Sequence, residues 1–175
     1  MKFKHLFILF ATAALVSFSV PKHVQKKVNK EIKAAYKIED FKLHPVLIEP
    51  EISEELPARF DDNNLFMILS DTDSLGYAYF AKAPSKTDEF DYMVLLDNDL
   101  IIVKSKVLIY REDYGGEIGS KRWLRQFNGK SQDDTLHYGE NIAAISGATI
   151  SVRSMTLAIN NLLKSIKLLH DKNII

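Results

Sequence analysis

Residues 145–151 read ISGATIS, a run of small and hydroxyl-bearing side chains just ahead of a long stretch of helical periodicity. A hydroxyl in that position accepts a hydrogen bond from a first-turn amide, a cap that contributes about 1 kcal/mol. The same free amides, with the positive end of the helix dipole, form a site for phosphate. Gly147 lets the backbone come close to such a group, and Thr149 carries a hydroxyl within the first turn. Ser146, Gly147, Ala148 and Thr149 therefore admit two readings: a turn capped by Ser146, or an anchor for something negatively charged.

Composition narrows the remaining chemistry. The chain has no cysteine, which removes disulfides, thiolate metal sites, haem attachment and a cysteine nucleophile together. His5, His23, His44, His137 and His170 are scattered without ligand spacing, so no metal site is expected. Lysine plus arginine equals aspartate plus glutamate at 23 each, leaving no overall basic field for nucleic acid. No acid, base and nucleophile converge on a small substrate, so no catalytic residue is assigned. The segment YGGEIG, residues 114–119, lacks the strand-to-helix setting and spacing of a nucleotide fingerprint.

The elements that must position the SGAT run follow from periodicity. Val152, Met155, Ile159, Leu162, Ile166 and Leu169 recur three and four apart, which predicts a helix of about five turns with one face on a core. Ahead of it, LFMILSD, LGYAYFAKA, FDYMVLLD and LIIVKSKVLIY are runs of branched and aromatic residues separated by turn chemistry, the pattern of an antiparallel sheet of about four or more strands. After the sheet, Gly115, Gly116 and Gly119 form a loop, Ser120 is a helix cap, and Trp123, Leu124 and Phe127 give a short helix that Gly129 ends. A further extended piece is expected through NIAAIS, residues 141–146. The fold class is α+β, the sheet packing against the long C-terminal helix and the short Trp-containing one.

The N-terminal third reads differently. Lys2 and Lys4, an apolar run from Leu6 to Val20 and the small residues Ser17 and Ser19 form a signal peptide or, uncleaved, a membrane anchor over residues 1–20. The folded part is then exported, to the periplasm or the extracytoplasmic face of a membrane. Val24, Val28, Ile32 and Tyr36 give an amphipathic helix with lysines on its other faces, most simply a solvated surface and otherwise a contact for anionic lipid. Prolines 45, 50 and 57 break the segment after it, so residues 21–60 read as this helix and an irregular connection with one short strand.

With these elements in place, ISGATIS and its helix resemble the FMN-binding domain of the flavin-bearing subunits of sodium-pumping quinone reductase and of the Rnf electron-transport complex. The resemblance extends through LGYAYFAKA, VLIYREDYGGEIG and the Trp123 helix, over roughly residues 65–170, as in a small stand-alone exported member of the family. It implies a domain over residues 61–175 that carries FMN. It also implies that Thr149 is esterified to the FMN phosphate by a dedicated flavin transferase using FAD.

Electrons would then arrive and leave through redox partner proteins of a membrane or extracytoplasmic chain. The resemblance further implies flavin contacts from Glu112, Gly115 and Gly116; around such a ring, Tyr114 and Trp123 are aromatic candidates for contact. Tyr110 and Tyr138 are further candidates for ring contact, and Arg111, Lys121, Arg122 and Arg125 for phosphate or reduced flavin. The family pattern has an aspartate three residues before the motif, where this chain has Ala143. Beside the electron-carrier reading stand two others: a flavin-dependent reductase of a small molecule, and a binding module without flavin.

Overall fold

Period-two alternation in the strand-forming runs sorts their side chains onto two faces of a sheet, and both faces are covered by helices. The structure, a computed structural model, describes residues 22–60, 64–71 and 73–175; the export segment expected at residues 1–20 lies outside them. Strands β1 (Lys42–Pro45), β2 (Leu65–Ser70), β3 (Asp73–Pro84), β4 (Glu89–Leu96) and β5 (Ile102–Ile109) pair in sequence order, every neighbour antiparallel. The four expected strand runs between residues 65 and 110 are present as β2 to β5, and the proline-rich connection supplies β1 as an edge strand and a short helix α2 (Pro50–Glu55) with proline in its first turn.

Helix α1 (Lys22–Tyr36) covers one face. Its stripe of Val24, Val28 and Ile32 is buried against Phe66, Ile68, Ala78, Phe80, Met93 and Leu95. Two half-buried polar contacts orient it: Lys27 Nζ donates to the carbonyls of Val107 and Leu108 at 2.9 and 2.8 Å, and Glu31 pairs with Lys106 at 3.1 Å. Among the described residues no helix is long and apolar enough to cross a membrane.

Helix α4 (Thr149–Asp171) covers the other face. Val152, Met155, Ile159, Leu162, Ile166 and Leu169, the stripe expected from spacing, are all buried against Leu65, Tyr79, Phe90, Tyr92, Val94 and Ile102. Polar side chains fix its position along the sheet. Ser154 Oγ donates to the Pro84 carbonyl at the end of β3, and the Asn160 amide bonds both the N–H and the C=O of Leu136 at 2.8 and 2.7 Å. At the far end, Ser165 Oγ accepts from the Ala58 amide at 2.8 Å.

Short helix α3 (Lys121–Leu124) closes the end of this layer, and Ser120 caps it as its sequence predicts, accepting from the Trp123 amide at 3.3 Å. One expected element is absent. Residues 141–146 form no strand; the only ladder contact there, among the described residues, is an isolated bridge between Tyr138 and Ile142. The polar groups of this segment are used by tight turns: Ile142 N–H donates to His137 C=O at 3.1 Å, and Asn141 Oδ1 accepts from the His137 amide at 2.7 Å. Local side-chain bonds of this kind compete with sheet pairing and here displace it.

Candidate functional site

Gly147 decides how the SGAT run is shaped. Its φ is +80°, which an L side chain rarely adopts, and the chain turns there so that the Ala148 amide donates back to Ile145 C=O at 3.1 Å. Helix α4 begins only after this turn, with Val152 N–H on Ala148 C=O at 2.9 Å. Ala148, not Ser146, is therefore the cap residue, and no side chain caps the helix. The expected Ser146 cap fails because the left-handed turn at Gly147 leaves Ser146 exposed, two residues ahead of the cap position Ala148. The amides of the first turn thus have no intrahelical partner and no side-chain substitute, a condition that favours an anion.

Thr149 is the first residue of α4 and is exposed. Beside it opens a cleft of about 420 Å³, within the range of small-molecule sites. Gly147, Ala148, Thr149, Ile150 and Ser151 form one wall, and Tyr110, Glu112 and Tyr114 come from the segment after β5. Lys86, in the turn between β3 and β4, completes the lining. Two apolar side chains are unusually exposed there: Tyr114 at 83% and Ile150 at 49%.

The glycine loop is held against the helix start by close packing. A Cβ at Gly115, where φ is +78°, would lie 2.7 Å from Ala148 Cβ and 3.1 Å from the Tyr110 hydroxyl. Tyr110 is anchored to α4 by a 3.0 Å bond between its hydroxyl and Ser151 Oγ. The segments carrying Tyr114 and Thr149 are thereby fixed relative to one another.

Glu112 has a different setting. Its carboxylate accepts from Ser85 Oγ at 2.6 Å, from the Thr87 amide at 2.6 Å and from Thr87 Oγ1 at 2.9 Å. These donors, Ser85 first, hold its pKa down to about 2. The carboxylate is thus an anion that ties the segment after β5 to the β3–β4 turn.

The remaining residues singled out from sequence spread more widely. Trp123 is buried, edge-on to Phe127, with its indole N–H on the Ala143 carbonyl at 2.8 Å; it does not line the cleft. Gly116 and Ser146 lie outside the lining as well. Arg111 is engaged with Asp91 at 2.6 Å and with the Glu89 carbonyl, and Tyr138 lies beneath Arg153, 4.8 Å from ring centroid to guanidinium. Lys121, Arg122 and Arg125 are exposed on and just beyond α3. Lys86, Ile150 and Ser151 were not singled out by sequence; Lys86 reaches the cleft only because the β3–β4 hairpin folds over toward α4, a tertiary relationship without a local signature.

The antiparallel sheet, the glycine-turned helix start and the ligand-sized cleft beside it belong to one small α+β domain. Residues 86–164 match the model of the family described as "FMN-binding domain". Among solved structures, NqrC of Shewanella oneidensis superposes with a TM-score of 0.54 at 15% identity, covering 79% of this chain and 91% of that one. The likeness is one of fold. No curated protein matches the chain.

Proposed function

We propose that the protein is an exported electron-transfer flavoprotein that holds FMN at the start of α4, esterified through its phosphate to Thr149. The observation that carries this reading is the placement of Thr149: an exposed hydroxyl on the first residue of an uncapped helix, at the edge of a cleft in an FMN-binding domain. Bound FMN supplies reversible redox chemistry in one- and two-electron steps.

The residues present suit that group. First-turn amides and the helix dipole favour the phosphate at this position, and Gly147, with nothing within 4 Å of where a Cβ would stand, leaves room for it. Tyr114 and Ile150 offer exposed apolar surface for a flat ring. Attachment would be made by a flavin transferase: the Thr149 oxygen forms a bond to the flavin-side phosphorus of FAD, the pyrophosphate bond breaks, AMP leaves, and the hydroxyl proton is released.

The Tyr110 and Ser151 hydroxyls of the lining are spent on each other, and the Glu112 carboxylate on Ser85 and Thr87, which favours a relay that passes electrons between partner proteins over an enzyme with its own small substrate. Expression with a flavin transferase followed by a denaturing gel tests the reading. A flavin-fluorescent band that survives denaturation supports it, and a colourless, unlabelled band overturns it.

A further inference from the structure

Lys86 is exposed, lines the same cleft as Thr149, and forms no ion pair or hydrogen bond among the described residues. It is the sole cationic side chain of that lining. Its position is not left to a free loop. The turn that carries it is closed by Ser85, whose amide donates to the Asp88 carbonyl at 2.7 Å. The turn is then clamped from outside by Glu112, through the three bonds from Ser85 and Thr87 that flank Lys86 on either side.

We propose that Lys86 is a phosphate-binding residue of this cleft, the counter-charge to the phosphodiester at Thr149, and that Glu112 acts at one remove as the positioning residue that holds Lys86 there. The inference rests on the proposed function. It gives Glu112 a role that its own charge opposes. A bare carboxylate lining the cleft would repel a phosphate, whereas donors from the Lys86 turn occupy it and leave the lysine as the uncommitted charge of the lining. The lysine and the first-turn residues line the same cleft from different elements, so that the phosphate is met from two independent parts of the fold.

The test uses the flavin-loaded protein and the ³¹P resonance of its phosphodiester, measured as the displacement from its position in the urea-unfolded chain. Lys86→Gln is expected to move the resonance toward the unfolded position, Lys86→Arg to retain it, and Lys164→Gln, an exposed change elsewhere on α4, to leave it unmoved. Glu112→Gln is expected to move it in the same direction as Lys86→Gln, and the double variant no further than Lys86→Gln alone. If the loaded protein keeps its full displacement in Lys86→Gln, or if Glu112→Gln acts equally with and without Lys86, the inference is overturned while the proposed function stands. If the wild-type protein takes up no covalent flavin, both fall.

Discussion

Trp123 donates its indole N–H to the Ala143 carbonyl at 2.8 Å, while the Ala143 amide donates to Gln126 Oε1 at 2.7 Å. The backbone at position 143 is held from both sides by the α3 segment, yet the residue itself is exposed. The position three residues ahead of the SGAT run is therefore a presented one, with a fixed main chain and a side chain free for a partner to read.

Ala143→Asp should leave stability within about 0.5 kcal/mol of wild type, as for an exposed substitution away from packed groups. It should accelerate flavin attachment by a transferase, because it restores the carboxylate that the family pattern places there. The labelled fraction against time, read by intact mass, checks this; equal rates in the two proteins would remove position 143 from recognition.

Trp123→Phe keeps an aromatic ring beside Phe127 but removes the donor to Ala143. The expected cost is about 1 kcal/mol, with faster hydrogen exchange concentrated in residues 137–145. The flavin absorption bands should not move, since Trp123 does not line the cleft. A shifted spectrum would place Trp123 on the ring.

Gly115→Ala meets Ala148 Cβ at 2.7 Å and forces an alanine to φ +78°, whereas a Cβ at Gly116 meets nothing within 4 Å. The first should cost about 2 kcal/mol and separate the glycine loop from the start of α4. The second should be near neutral. Urea unfolding of both variants gives the comparison, and equal midpoints would show that the contact between loop and helix is not fixed.

Glu112 gives the fold an acid-sensitive tie. Its pKa is lowered from 4.5 to about 2, so the folded state binds its proton less readily than the unfolded chain does. The stabilisation is fully present above pH 4.5 and is lost as the pH falls toward about 2. Plotted against pH, the stability difference between wild type and Glu112→Gln should shrink across that window. A constant difference would mean that the carboxylate charge is not what the turn uses.

The residues that were legible in the sequence are those whose signal is local. The α4 stripe, the alternating strands and the Ser120 cap each follow from spacing within one element, and all are present. Ser146 reads as a cap because a hydroxyl near a helix start is the usual signal, while the left-handed turn at Gly147 that moves the start to Thr149 depends on backbone geometry. The run at 141–146 has strand-like composition, but its polar groups are consumed by turns and by side chains from α3. The Glu112 clamp joins residues 27 and 25 positions apart, Ser85 and Thr87, and periodicity carries no information about such a pairing or about the Lys86 it flanks.

The central claim is the hydroxyl of Thr149. Wild-type protein and Thr149→Val, each expressed with a flavin transferase, should be digested and mapped by mass. A gain of one FMN less water, confined to the peptide that contains residue 149 and absent from Thr149→Val, is the result predicted. Flavin retained covalently in Thr149→Val, or mapped to another residue in the wild type, would contradict it.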